Sequence, residues 1–279
     1  NSKKYNFAYS TSNTKALLKN NEINTVVVTT RHNSHSSFVI KALKNNKNVW
    51  VEKPLSLTAD ELDDVIKVYK SCQKDDSRKS PQLMIGFNRR FAPHIRKIKS
   101  LLSSKDYEKK SILITVNAGK IPSDNWIQDK AVGGGRILGE GCHFIDLIRF
   151  IGGSKITSVS TNKMDCIENL NDNVSISVRL ENGSIGTILY LSNGASSYQK
   201  EQVEIFTNGK VLKLDNYKTL YGYGWKNFRK MSLFKQDKGQ NACVQEFVNS
   251  IKSGKACIHP DDIFEVSKWS IEASKSAQQ

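Results

Sequence analysis

Apolar positions in the first hundred residues follow two periods in alternation. Thr25 to Thr30 and Asn48 to Val51 are β-branched, continuous runs that read as buried strands, and Leu83 to Gly86 reads as a third. Between the first two, His35 to Asn45 places Phe38, Val39, Ala42 and Leu43 on one helical face. Thr58 with Glu61 three residues later predicts a capping box that opens a helix running through Tyr69. Alternating strands and helices predict a parallel sheet whose right-handed crossovers bring the carboxyl ends of the strands to one rim.

A different rhythm follows. A second lobe is expected to begin near Ser111, with a strand over Ile112 to Asn117 and, after a loop and three glycines, a helix from about Ile137 to Ile151. Short β-like runs come next: Ile156 to Thr161, Val174 to Leu180, Ser184 to Leu191, Gln202 to Thr207 and Val211 to Asp215. Turn signals such as Glu181-Asn182-Gly183 and Thr207-Asn208-Gly209 join several of them, which predicts antiparallel pairing. Helices over Asn241 to Ser253 and Asp261 to Ser276 close the chain, and Lys74 to Ser80 reads as a polar loop. The expected division is residues 1–105 and 106–279, with the last helix packing back on the first part.

The run Val49-Trp-Val-Glu-Lys-Pro54 concentrates candidate chemistry. It ends a buried strand in an acid, a base and a proline, at the rim where open α/β sheets hold ligands. On the predicted helix, position 139 and His143 lie four residues apart and share a face, with Asp146 a further turn along. Arg89, Arg90 and Arg136 are candidates to clamp a substrate phosphate or carboxylate bidentately. Trp126 is either core packing or a platform for stacking a sugar. His32, His35 and His94 lack metal-ligand spacing, and Cys72, Cys142, Cys166, Cys243 and Cys257 form no CxxC pair, so no metal site is expected and reduced thiols are. Cys142 reads as a small buried helix residue.

Composition narrows the partners. Lys and Arg outnumber Asp and Glu by 42 to 27, a net charge of +15, which raises nucleic acid as a partner. The lysines, however, are scattered among asparagines and serines, as in Lys41-Ala-Leu-Lys-Asn-Asn-Lys47, so solvated faces explain them and no nucleic-acid partner is expected. The field of such a chain would steer an anionic substrate. No run of about 18 apolar residues is present, so no membrane partner is expected and the cytoplasm is the default location.

Four ordered blocks resemble the glucose-fructose oxidoreductase, inositol dehydrogenase and MocA family of NAD(P)-dependent enzymes. They are Val26 to His35, Asn48 to Leu55, Gly86 to Pro93, and Gly133 to Asp146. The resemblance implies an α/β plus α+β fold: an incomplete Rossmann-type parallel sheet, then a predominantly antiparallel open sheet with helices on one face and subunit contacts on the other. It implies NAD or NADP as cofactor and a homo-oligomeric assembly as the expected state. Thr30, His32, His35, Glu52, Lys53 and Pro54 match positions beside the cofactor. Lys53 and His143 match catalytic positions, which agrees with the chemistry: removing hydride from a secondary alcohol needs a base for the hydroxyl proton and a cation to hold the oxygen. Many members carry aspartate where Gly139 stands here. Glu140 beside it is an auxiliary candidate, although one helical step turns it by about 100°.

Asn125 to Asp129 and Gly139 to His143 resemble one branch in which this module follows a zinc alcohol dehydrogenase-like module. That branch makes such an upstream module a possible partner and a sugar or nucleotide sugar the expected substrate. No GxGxxG turn occurs, and Phe7 to Ser10 matches only the third strand of a nucleotide domain. On the order of 60 residues of the amino-terminal half-domain are therefore expected to be missing, and NAD(P) binding by this chain alone is expected to be weak or absent. The expected function is hydride transfer between NAD(P) and a secondary hydroxyl. The alternative from another class is a noncatalytic scaffold or regulatory subunit that kept the fold without a complete cofactor site.

Overall fold

A computed structural model of the chain describes residues 4–73, 80–103, 109–165 and 172–277. Most of the polar run at 74–80, Cys166, and the expected boundary between 105 and 106 lie outside them.

Strands β1 (Thr25–Val28), β2 (Asn48–Val51) and β3 (Leu83–Ile85) form a parallel sheet in that order. The crossovers are helices α2 (His35–Lys44) and α3 (Ala59–Ser71), preceded by a short α1 (Thr14–Lys19). Alternation of Val49 and Val51 into the core, both fully buried, fixes the register of β2. The capping box is present in a modified form. Thr58 accepts from Glu61 N at 3.2 Å, and the Glu61 carboxylate reaches back to Leu57 N at 2.8 Å, one residue before the cap itself.

The expected strand at Phe7 to Ser10 is absent from the sheet. Residues 4–13 are turns and coil, and Tyr5, Phe7 and Tyr9 are exposed, because alternating aromatics make a strand only against a partner edge. Helix α4 (Pro93–Leu101), opened by Pro93 at its first turn, was not expected from the apolar pattern.

The second sheet has eight strands: β4 (Ser111–Asn117), β5 (Ile156–Lys163), β6 (Val174–Leu180), β7 (Ile185–Leu191), β8 (Glu201–Thr207), β9 (Lys210–Asp215), β10 (Thr219–Tyr223) and β11 (Lys230–Ser232). Their spatial order is β11-β10-β9-β8-β4-β7-β6-β5. Successive hairpins are antiparallel as expected, but β4 enters the middle and pairs with β7 in parallel. Turn chemistry governs neighbours in sequence and says nothing about where an earlier strand inserts.

Helices α5 (Cys142–Gly152) and α7 (Pro260–Ser276) cover one face of this sheet, while α6 (Gln240–Ser253) packs near the turn after β3. Helix α7 also reaches the first lobe, where Phe264 meets Tyr69 of α3 edge-on at 5.5 Å. One apolar cluster runs through both lobes, from Val49 and Ile85 to Ile148 and Ile176. Among the described residues, no helix covers the outer face of the large sheet. Ile185, Phe206 and Tyr223 lie there about half exposed, in one row with Ser111 and Val211.

Candidate active site

The two lobes meet at the carboxyl rim of the parallel sheet. Ladder bonds from Glu52 N to Val28 O and from Gly86 N to Val51 O, both 2.9 Å, bring the exits of all three strands level. Lys53 leaves β2 there, and its Nζ donates to the backbone carbonyl of Gly139, in the other lobe. No carboxylate pairs with this ammonium among the described residues.

Gly139 sits in a turn that the helical pattern hid. Residues Ile137–Gly141 form a single π-turn that runs directly into α5, where an unbroken α-helix was expected. Such wide turns re-aim side chains and backbone carbonyls, and they concentrate at functional sites. The three preceding glycines make the approach possible. A Cβ on Gly133 would lie 2.4 Å from Ile127 Cα, and Gly134 and Gly135 have φ of +74° and +83°.

His143 follows one turn later in α5 and is 5% exposed, with its ring edge-on to Phe87 at 6.2 Å. Its Nδ1 is buried without a hydrogen-bond partner among the described residues. Burial, and then the charges of Arg89, Lys53, Lys238 and Lys200, hold its pKa well below 6.5, so the ring is neutral at pH 7. Neighbouring Cys142 is fully enclosed, and burial pushes its thiol up to about 12, which leaves it inert.

Rim residues of β1 complete the near side. Thr30 is exposed and its hydroxyl lies 2.6 Å from Ser34 Oγ. His35 is wholly buried, with its ring nitrogens 2.7 Å from Pro54 O and 2.9 Å from Thr30 O, so it ties the exits of β1 and β2 together from behind. Pro54 is buried after a cis peptide bond, and Glu52 packs over Gly86, where a Cβ would come within 3.0 Å of its carboxylate. The His32 ring crosses to the second lobe: Nδ1 donates to Gly133 O at 2.7 Å, and Trp126 meets it edge-on at 4.8 Å. Trp126 is thereby attached to the rim and also carries Arg31 over its ring at 5.8 Å.

The expected arginine clamp is engaged elsewhere. Arg89 makes a bidentate pair with Glu201 at 2.8 and 2.9 Å, and Lys238 joins the same carboxylate at 2.6 Å. Arg90 donates twice to Asp146, so these two residues face each other in the interior and not a cleft. Both pairs are buried. Arg136 donates to Gly119 O and Ala118 O, where β4 ends, and to Glu140 at 3.3 Å. Glu140 also accepts from Tyr190 at 2.5 Å and Lys200 at 2.8 Å. Burial alone would raise its carboxyl, but Lys200 first, then Tyr190 and Arg136, hold it at about 2. A carboxylate so saturated is a poor proton carrier at neutral pH.

Sequence reasoning missed Glu201, Lys238, Tyr190 and Lys200. A signal did exist for two of them. Glu201 and Tyr190 stand in phase with the inward positions Val203 and Ile205 of β8, and Gly186 and Ile188 of β7, where a polar group must find a buried partner.

A lysine on the rim of a Rossmann-type sheet, bonded to a turn that leads into a helix of the second lobe bearing a histidine, defines the layout of an NAD-linked oxidoreductase. Residues 2–75 match the oxidoreductase family with an NAD-binding Rossmann fold, and residues 95–212 match the GFO/IDH/MocA C-terminal domain. The chain belongs to the Gfo/Idh/MocA oxidoreductase family. A myo-inositol 2-dehydrogenase of Thermotoga maritima is 28% identical over 72% of this chain and 59% of its own length. The chain spans about 60% of the length of the curated relatives it matches. An oxidoreductase domain protein from Kribbella flavida superposes with a TM-score of 0.86 at 20% identity, covering 100% of this chain and 85% of that one. A levoglucosan dehydrogenase in complex with NADH and levoglucosan gives 0.83 at 18% identity, covering 99% and 84%. These two likenesses concern the fold.

Proposed function

We propose that the protein of which this chain forms the catalytic rim oxidises a secondary ring hydroxyl of a polyol, sugar or nucleotide sugar with NAD(P). The bond from Lys53 to the Gly139 turn, which leads within one helical turn to His143, carries this reading. Lys53 brings an ammonium without a neutralising carboxylate to the spot, suited to hold the substrate oxygen and stabilise the negative charge that grows on it. His143, neutral at pH 7, accepts the hydroxyl proton as the carbon loses hydride, and the product is the ketone. When bound, the nicotinamide ring supplies the hydride acceptor.

The residues present fit the nicotinamide half of such a cofactor. Thr30, Lys53 and Pro54 line the exits of β1 and β2, which His35 holds at a fixed spacing. The pyrophosphate half calls for a GxGxxG turn between a strand and a helix, and this sequence contains no GxGxxG. Glu140, saturated by three donors, serves as an anchor for Arg136 and Lys200 and not as an auxiliary acid. Arg89, Arg90 and Asp146 act as the frame behind the site. The bare outer face of the large sheet, with Ile185, Phe206 and Tyr223 in a row, is the surface through which copies of the protein would associate.

The test is NAD(P)-dependent oxidation of cyclitols, hexoses and nucleotide sugars by the whole protein, followed as reduced nicotinamide. Turnover of a ring polyol that collapses in both Lys53→Ala and His143→Ala is the expected result. Undiminished turnover in either variant removes that residue from the reaction, and no turnover with any of these substrates rejects the reading.

A further inference from the structure

One side chain at the rim remains unused by that chemistry. His32 is 7% exposed and held from two sides, by the Nδ1 hydrogen bond to Gly133 O and by the edge of Trp126. Its other nitrogen, Nε2, has no hydrogen-bond partner among the described residues. Burial lowers the pKa of the ring to about 4, with smaller contributions from Lys53 and His35 against the pull of the Gly133 bond. The ring is therefore neutral at pH 7. With the proton on Nδ1, Nε2 presents a lone pair.

Its position is the informative part. A Cβ on Gly139 would come within 2.9 Å of His32 Cε1, so the imidazole occupies the space that a side chain at 139 would fill. Lys53 Nζ touches the carbonyl of the same glycine. The imidazole and the ammonium thus flank a single residue, with His143 one turn away in α5. Lys53 and His143 between them satisfy one hydroxyl, one by donating and the other by accepting its proton. A neighbouring hydroxyl on the same ring would need an acceptor for its own proton, and His32 Nε2 is the neutral acceptor at hand.

We propose that His32 is a positioning residue that accepts, through Nε2, a hydrogen bond from the hydroxyl adjacent to the one oxidised, and so selects rings bearing vicinal hydroxyls. This rests on the dehydrogenase reading and assigns His32 to the substrate, in place of the cofactor contact expected from sequence. A merely structural His32 would need only its bond to Gly133, and two substitutions separate the roles. His32→Asn keeps a donor near Nδ1 and removes the acceptor at Nε2, whereas His32→Gln restores an oxygen at the reach of Nε2.

The experiment is a titration of the full chain, labelled with ¹⁵N in its histidine rings, with myo-inositol, trans-1,2-cyclohexanediol and cyclohexanol. The His32 Nε2 resonance is expected to move with both vicinal diols and not with cyclohexanol. His32→Asn should weaken diol binding about tenfold, the effect of one lost hydrogen bond of about 1.4 kcal/mol, leave cyclohexanol binding unchanged, and be rescued by His32→Gln. An Nε2 resonance indifferent to both diols overturns the proposal, as does a His32→Asn variant that binds the diols like wild type or loses all three probes alike. The two readings fail separately. A whole protein that oxidises polyols with a silent His32 loses only this assignment, and one whose His32 responds to diols without any turnover loses only the dehydrogenase.

Discussion

The two lobes present their polar groups to the shared cleft in opposite ways. On the parallel-sheet rim, among the described residues, Lys53 has one carbonyl partner and His32 Nε2 has none. On the far side, Glu140 is met by Tyr190, Lys200 and Arg136, and behind it Glu201 is met by Arg89 and Lys238. The first set has bonding capacity left for a ligand and the second has almost none. Charged residues of one type therefore divide into chemistry and frame according to whether their partners are already in place, since a saturated buried pair is costly to open.

The comparison is broken most severely at Lys53 and His143. Replacing either with alanine should reduce turnover by about 10² to 10⁴, the range for a lost acid–base or charge-stabilising group, and the Lys53 change, at a half-buried side chain, should leave the denaturation midpoint little altered. The frame should give the converse. Asp146→Ala leaves the buried Arg90 with only Asp262, 3.9 Å away, as a carboxylate partner, and is expected to cost about 3 kcal/mol in urea unfolding.

Acid should reveal the buried imidazoles next. His32 has a folded pKa of about 4 against 6.5 when unfolded, so between those values the unfolded chain binds more protons and stability falls as pH falls. The contribution is complete above 6.5, and its loss by pH 4 is on the order of 3 kcal/mol. His143 is depressed in the same direction and adds to the trend. Unfolding midpoints measured across this window should drop, and His32→Gln should flatten the profile; a wild-type midpoint level from pH 7 to 4.5 would contradict it. The smallest effect belongs to the bare sheet face. Phe206→Lys should change stability by no more than about 0.5 kcal/mol while shifting sedimentation toward the monomer.

Much of this was legible in the chain itself. The strands at β1, β2 and β6, the capped α3, and the rim position of Lys53 all follow from local pattern, because burial of alternating or continuous apolar positions leaves few options for a short segment. What could not be read locally was the π-turn at Ile137–Gly141, since an i to i+5 bond differs from i to i+4 by one residue that no apolar period resolves. The fate of Arg89 and Arg90 was equally hidden, because their carboxylates lie 112 and 56 residues away.

Sequence alone thus determined which segments become strands and helices, and that a lysine and a histidine of the right chemistry stand at their ends. Only the tertiary structure decided that Lys53 reaches Gly139, one turn before His143, that His32 fills the space beside that glycine, and that the arginines are spent on the frame. Local pattern is set by short-range sterics and burial, whereas the pairing of charges depends on which distant surfaces the folded chain brings within a few ångströms.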